Sequence, residues 1–359
     1  MLAPKKRNGK IDLLRFLFAV IVLIYHSRYV VGDEKSLFLG GSFAVEFFFL
    51  VSGYLMMASI QKMSPPTKSL STETGIFLLK KYQTFFPELL VAYVIAAAVT
   101  ALALNGNFIK LLVLSYSDVL LVGMTGLQIY SINVAIWYLS SMLLAMAILY
   151  PLLRKYGDTA LYIIIPLLTL FLLGWFCGNE ESPRKATKWI GWTYRGNLRA
   201  LAEMGAGICL YPIVEKVKKI NFTVFARILL TALEYSCYAQ LLYHMNVRTF
   251  TRYDYFYLLV FAVALTISFS QKGIDAALFS GRFFSWLGKF SFSLYLSHYF
   301  YSQTVTIFFP VLSDWQLLIV YYGLSALTAL AVMGLAGLIR KICTKLTLHW
   351  PRFLRPVVK

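Results

Sequence analysis

The chain has 359 residues, of which 59% are hydrophobic and only 14% are charged. A soluble domain has about a quarter charged residues, so this composition excludes an ordinary soluble protein and indicates a membrane protein with many crossings. The formal net charge of +18 does not indicate nucleic-acid binding. Its lysines and arginines are concentrated in short connectors and the C-terminal tail, where the positive-inside rule places them.

Apolar stretches predict eleven candidate helices, because a crossing needs about 20 mostly apolar residues. They cover residues 13–31, 38–60, 85–104, 109–125, 132–153, 159–176, 198–214, 222–243, 255–270, 283–309 and 315–339. The basic N-terminus is followed by no small-residue cleavage site, so we expect a retained first crossing with the N-terminus in the cytoplasm. Four scattered cysteines without a Cys-x-x-Cys pair predict neither a disulfide framework nor a metal site.

The stretch 109–125 is the weakest candidate, because a lysine, a polar SYSD sequence and a glycine interrupt it. If all eleven stretches crossed, the basic clusters at 154–155 and 216–219 and the basic tail would face outside, against the positive-inside rule. Letting 109–125 lie at the outer interface, or dip in and return, moves these clusters to the cytoplasm. We therefore predict an all-α polytopic membrane protein: one domain over residues 1–359, with about ten transmembrane helices and both termini cytoplasmic.

The first predicted helix carries two polar side chains that are costly in lipid, Arg15 and His26. Eleven residues make about three helical turns, so both side chains lie on one face, roughly 16 Å apart along the axis. They are placed to line one internal path, with Arg15 near the cytoplasm. Two simpler interpretations remain open: Arg15 reaches lipid head groups, and His26 is a hydrogen-bonded structural histidine.

The second predicted helix, GSFAVEFFFLVSGYLMM, contains Glu46 among apolar residues. A buried carboxylate needs a partner. A short connector makes the first two helices antiparallel neighbours, with His26 and Glu46 both in the outer half. We predict that Glu46 orients His26 and stabilises its protonated form, as a general base requires. Alternatively, Glu46 accepts a hydrogen bond from the backbone or a hydroxyl.

These two helices also carry a family resemblance. IDLLRFLFAVIVLIYHS followed by GSFAVEFFFLVSGYLM resembles the membrane-bound acyltransferase 3 family, whose members typically open with Arg, ten residues and His. A Gly-x-x-x-Val-(Asp/Glu)-x-Phe-Phe-x-x-Ser-Gly-(Tyr/Phe) helix then follows. NVAIWYLSSMLLAMAILYPLL, with Trp137, resembles the family's Trp-x-Leu segment. WLGKFSFSLYLSHYF, with Tyr295 and His298, resembles its Ser-x-Ser-Leu-Tyr-Leu-x-His stretch, and LRALAEMGAGICLY, with Arg199, is similar to an Arg-led, Gly-rich helix.

The resemblance implies a ten-helix enzyme of a bacterial cell membrane. It would move an acyl group, usually acetyl from acetyl-CoA, to a hydroxyl of a cell-surface polysaccharide or lipid-linked sugar. His26 matches the family's essential histidine and Arg15 its arginine. We expect Arg15, His26 and Glu46 to be catalytic, with His26 as general base or transient acyl carrier. No metal is implied, and the oligomeric state is not predicted.

Donor binding is expected at Arg15, Ser52, Lys80 and Lys81. Where the family commonly has Arg-x-x-Arg before a proline, this chain has Lys81 and Thr84. Lysines attract phosphate as point charges, whereas arginines bind it through a bidentate fork. The alternative is that both lysines are ordinary cytoplasmic charges.

Substrate binding is expected at Trp137, Arg199, Tyr295 and His298. Two of these have a plainer interpretation. Arg199 lies four residues before Glu203, a spacing that favours a structural ion pair. His298 is equally well explained as a packed, hydrogen-bonded side chain.

Two other classes of function stay open. In a transporter, Arg15, His26, Glu46 and Glu234 would form a proton or substrate relay across the membrane. The sequence shows no repeated halves, which transporters often have. A non-catalytic scaffold of a polysaccharide assembly is the third hypothesis.

Overall fold

The computed structural model describes residues 8–65, 68–179, 186–247 and 254–346, and these residues are almost wholly helical, which confirms the all-α prediction. A two-stranded antiparallel hairpin, β1 (Trp189–Ile190) and β2 (Thr193–Tyr194), directly precedes the helix that begins at Arg195. The helices are α1 (Gly9–His26), α2 (Arg28–Val31), α3 (Ala44–Ile60), α4 (Leu70–Ala103), α5 (Phe108–Leu114), α6 (Tyr116–Leu120), α7 (Trp137–Thr159), α8 (Ile165–Gly178), α9 (Arg195–Lys219), α10 (Val224–Asn246), α11 (Asp254–Ser270), α12 (Arg282–Ser297), α13 (Tyr299–Phe308) and α14 (Asp314–Leu346).

Within the described residues, five segments are long and apolar enough to cross a membrane. They are Gly9–Val31, Gly41–Ile60, Leu70–Ala103, Val134–Gly178 and Asp314–Thr344. The polytopic membrane protein is therefore confirmed, whereas the count of ten crossings stays a prediction. The basic residues of 1–7 and 347–359, on which part of the predicted orientation depends, lie outside the described residues.

The doubtful stretch 109–125 forms short helices in the structure. α5 has seven residues and α6 has five, so at 1.5 Å per residue each is far shorter than the roughly 30 Å hydrocarbon core. The side chain of Asn107 caps α5 by accepting the N–H of Lys110. Asp118 Oδ2 then accepts the N–H groups of Ile132 and Asn133, at 2.9 and 3.2 Å. These contacts hold the segment against the start of α7, and neither helix can span a bilayer.

The two predicted helices at 132–153 and 159–176 are arms of one apolar segment. α7 turns sharply at Gly157, whose backbone (φ 47°, ψ −119°) is not helical. A π-helical turn, Ala160–Ile164, then leads into α8. Glycine tolerates this positive φ because it has no Cβ.

α3 and α9 pack with their backbones almost touching. A Cβ on Gly53 would lie 2.1 Å from the carbonyl oxygen of Met204, and a Cβ on Gly207 would lie 2.1 Å from that of Leu50. Small residues of this kind let membrane helices approach closely. This close contact brings the polar side chains of α3 and α9 within reach of one another, including Glu46 and Arg199.

α1 runs along α12 in similarly close contact. A Cβ on Gly288 of α12 would lie 2.4 Å from Oδ1 of Asp12 on α1. Following both helices from this point toward their C-terminal ends brings His26 beside His298. The pairing of α1 with α12 therefore builds the site described below.

A buried ion cluster holds the other end of α1. Lys10 Nζ lies 2.8 Å from Glu234 Oε2 and 2.8 Å from Asp275 Oδ1. Glu234 also accepts the hydroxyl of Ser268. Glu234 thus has partners that compensate the cost of burying its charge.

Candidate active site

Two histidines from distant parts of the chain meet at the end of α1. Nε2 of His298 lies 3.1 Å from Nδ1 of His26. His298 is fully buried, and its Nδ1 lies 2.8 Å from the carbonyl oxygen of Tyr295. His26 is half-buried, and its Nδ1 also lies 2.9 Å from the carbonyl oxygen of Val22. Three aromatic rings surround His26 at centroid distances of 4.9 to 5.9 Å, those of Tyr25, Tyr29 and Tyr299.

Polar groups continue from this pair into the bundle. Tyr295 precedes His298 by one turn and donates its hydroxyl to the carbonyl of Ala135. Its ring lies 6.0 Å from the ring of Tyr138. The hydroxyl of Tyr138 in turn lies 3.0 Å from that of Ser52. α12, α7 and α3 thus each contribute to one line of polar groups. We call this the polar line: His26, His298, Tyr295, Tyr138 and Ser52, together with the cations Arg15 and Lys81 described in the next paragraph.

The other end of the polar line is positively charged. Arg15 interacts electrostatically with both Tyr138 and Lys81, and its Nη1 lies 3.7 Å from Oδ1 of Asp12. Lys81 is half-buried, and in the part of the chain that the structure describes no carboxylate forms an ion pair with it. Lys80, by contrast, is exposed. Two neighbouring cations with one carboxylate at 3.7 Å leave a positive potential, which favours an anion.

The predicted pairing of Glu46 with His26 is corrected by the structure. The carboxylate of Glu46 contacts the guanidinium of Arg199 instead. Arg199 Nε also donates to Glu203 Oε1 at 2.7 Å, and its Cζ lies 5.6 Å from the ring of Trp137. The close approach of α3 to α9 brings these groups together, and pairing compensates the cost of burying their charges. Arg199 therefore belongs to a buried ion cluster with Glu46 and Glu203, against which Trp137 packs. Glu203 also interacts electrostatically with Tyr138 of the polar line.

The proposed transporter relay is divided among three clusters. His26 contacts His298, Glu46 contacts Arg199, and Glu234 contacts Lys10. Among the described contacts these side chains do not form one continuous relay.

One group near the site was missed by sequence reasoning. Asn133 Nδ2 donates to the carbonyl of Leu296 at 2.8 Å, two residues before His298, and Asn133 is itself held by Asp118. Asn133 and Asp118 also line a cavity of about 20 Å³, which has room for about one water molecule. Burial raises the pKa of Asp118 to about 6. The only signal in the sequence was the polar interruption of the apolar run at 109–125.

The helical bundle and the polar line define an integral membrane protein with a histidine at one end of this line and cations at the other. A family model described as an acyltransferase domain matches residues 8–338. The chain therefore belongs to the acyltransferase 3 family and is a membrane acyltransferase, which confirms the resemblance of its first two helices. No curated protein and no solved structure matches the chain.

Proposed function

We propose that the chain is an O-acyltransferase of a bacterial cell membrane. It moves an acyl group, acetyl in the simplest case, from acyl-CoA to a hydroxyl of a cell-surface polysaccharide or lipid-linked sugar. The observation that carries this proposal is the polar line, which joins the Arg15 and Lys81 cations to the His26 imidazole over roughly 16 Å of α1. A phosphate-bearing donor is bound by cations, and a hydroxyl acceptor is activated by a base, so the two ends of the polar line suit the two substrates.

The donor phosphates bind at the Arg15 end, which we assign to the cytoplasmic side. Arg15 and Lys81 repel each other, so an anion between them relieves this repulsion as well as adding its own attraction. Tyr138 interacts electrostatically with Arg15, and its hydroxyl lies 3.0 Å from that of Ser52; these two hydroxyls offer hydrogen bonds to the donor. Lys80, being exposed, contributes through its charge alone.

Acyl transfer takes place at the His26 end. Nε2 of His26 accepts the proton of the acceptor hydroxyl while the hydroxyl oxygen attacks the thioester carbonyl carbon. The carbon–sulfur bond breaks, and the proton passes from His26 to the departing thiolate. A variant of this route forms an acyl-histidine first, with the same products.

Thiol release from acetyl-CoA by the purified protein tests the proposal. We expect His26→Ala to lower this rate by about 100-fold or more, since general acid–base catalysis contributes about 10²–10⁴-fold. His244→Gln is the matched control, because His244 pairs with Asp254 at 3.2 Å and lies outside the polar line. A transporter or scaffold would release no thiol. Wild-type protein that releases none with any acyl-CoA, or a His26→Ala variant as fast as wild type, would overturn the assignment.

The acceptor requires a separate measurement. Mass spectrometry of the surface glycan from cells with and without the protein should show an ester-sized mass difference, which names the acyl group and its target. A burst of thiol equal to the protein concentration, without acceptor, would indicate the acyl-histidine route. Identical glycans in both cells would refute a surface carbohydrate as acceptor.

A further inference from the structure

We propose that His298 is a positioning residue, which together with the Val22 carbonyl holds His26 in the tautomer with its proton on Nδ1. This inference rests on the proposed function and assigns His298 a role other than contact with the acceptor. It depends on three distances around two rings: Tyr295 O to His298 Nδ1, His298 Nε2 to His26 Nδ1, and His26 Nδ1 to Val22 O.

The buried ring determines the first tautomer. Nδ1 of His298 lies 2.8 Å from the carbonyl oxygen of Tyr295, and a carbonyl oxygen only accepts hydrogen bonds. Nδ1 of His298 therefore carries a proton and donates it. In the neutral ring Nε2 is then an acceptor, and this nitrogen faces His26.

The ring of His26 follows from the same rule. Its Nδ1 faces two acceptors, Nε2 of His298 at 3.1 Å and the carbonyl oxygen of Val22 at 2.9 Å. A proton on Nδ1 satisfies both as a shared donor. The opposite assignment would point lone pairs at carbonyl oxygens at both 2.8 and 2.9 Å, so it is strongly disfavoured. The Val22 carbonyl also accepts a backbone N–H within α1. Nε2 of His298 is therefore the acceptor that is available to the His26 ring alone.

The tautomer decides which nitrogen does chemistry. With the proton on Nδ1, Nε2 of His26 is an unprotonated base. None of the described residues donates a hydrogen bond to this atom, and the ring is only half-buried. When Nε2 takes the hydroxyl proton, the ring becomes cationic, and its hydrogen bond to His298 becomes charge-assisted. His298 thus stabilises the charge that develops during transfer.

His298 is itself held rigidly. The Tyr295 hydroxyl donates to Ala135, and Asn133 donates to the carbonyl of Leu296. Both contacts tie the last turn of α12 to the start of α7. A positioning role needs such support, because a misplaced partner would leave the His26 ring free to rotate.

Two amide variants separate positioning from packing. The terminal oxygen of His298→Gln reaches the place of Nε2 and can accept from His26. The shorter His298→Asn reaches only the place of Nδ1 and keeps the Tyr295 contact. We expect His298→Asn to lower kcat by about 10- to 100-fold, because one hydrogen bond to the cationic His26 ring is lost. KM for acetyl-CoA should be unchanged. We expect His298→Gln to retain most of the wild-type kcat.

Nitrogen-15 NMR of histidine-labelled protein gives an independent readout. The chain has four histidines, so His26 is assigned from its missing signal in His26→Gln. We expect wild-type His26 to show a protonated Nδ1 and an unprotonated Nε2, a pattern kept in His298→Gln and lost to a tautomer mixture in His298→Asn.

Three outcomes are distinguishable. A wild-type His26 with its proton on Nε2, or equal kcat in the Gln and Asn variants, overturns the positioning role. Wild-type protein that releases no thiol defeats the proposed function, while the tautomer measurement still tests the hydrogen-bond geometry. Loss of kcat only in His298→Asn, with the matching NMR change, supports both.

Discussion

Gly207→Ala should separate α3 from α9. The new methyl carbon would lie 2.1 Å from the carbonyl oxygen of Leu50, whereas ordinary contacts begin near 3.4 Å. The backbones must therefore move apart by more than 1 Å, which overpacking data put at about 1–3 kcal/mol. The shift also weakens the contact between Glu46 and Arg199. We expect the melting temperature to fall by roughly 1–4 °C, since an unfolding entropy of about 2.1 cal/mol/K per residue over 359 residues gives about 1.3 °C per kcal/mol.

Thermal unfolding of the purified protein in detergent measures this effect. Gly334→Ala on α14 is the matched control, because its added Cβ meets nothing within 4 Å. Alanine has the better helix propensity by about 1 kcal/mol, so the control should melt at or slightly above the wild-type temperature. Equal melting temperatures for the two variants would refute the idea that backbone contact at Gly207 fixes the spacing of the helices.

Three further outcomes are expected. Lys81→Gln should raise KM for acyl-CoA by about 10-fold. Exposed Lys80→Gln should raise it by less than about fivefold, since exposed charge pairs contribute under about 1 kcal/mol. Equal effects of the two variants in steady-state kinetics would contradict the donor site. Arg199→Leu should cost about 3–5 kcal/mol in thermal unfolding, because Glu46 keeps its buried charge without a partner; wild-type stability would argue against an ionised pair. Burial raises the pKa of Asp118 from 3.8 to about 6, so its contribution to stability is fully present below pH 3.8 and is lost as the pH rises through about 6. Asp118→Asn should abolish this loss, and parallel melting curves for the two proteins between pH 4 and 8 would show that the carboxyl titrates normally.

Local patterns predicted the helices well where one physical effect dominates. The apolar run 13–31 corresponds to α1 and α2, and 38–60 contains α3, because burial in lipid requires continuous apolar surface. The charge pattern also favoured 109–125 as a segment that lies at the interface or dips in and returns, and each of α5 and α6 is too short to cross by itself. The positive-inside rule was informative there because one additional crossing would move every later basic cluster to the opposite side of the membrane.

Partners of the buried polar groups could not be predicted from the sequence. The cost of burial required a partner for Glu46, but the partner Arg199 lies 153 positions away. His26 and His298 are 272 positions apart. Such contacts depend on which helices pack together, and here that choice depends on backbone contact at glycines such as Gly53. A spacing rule along one helix carries no information about a neighbour so distant in sequence.

The attachment of α1 at both ends fixes its position against the neighbouring helices. Lys10 is bound to two carboxylates at one end, and near the other the hydroxyl of Tyr321 donates to the carbonyl of Leu23 at 2.9 Å. Sliding or turning this helix would break both attachments, so Arg15 and His26 keep their places relative to the neighbouring helices. The rise of the helix itself sets their axial separation at about 16 Å, or three turns. Under the proposed chemistry, a donor bound by its phosphates near Arg15 would need an arm of about that length to bring its thioester to His26, whatever acyl chain it carries.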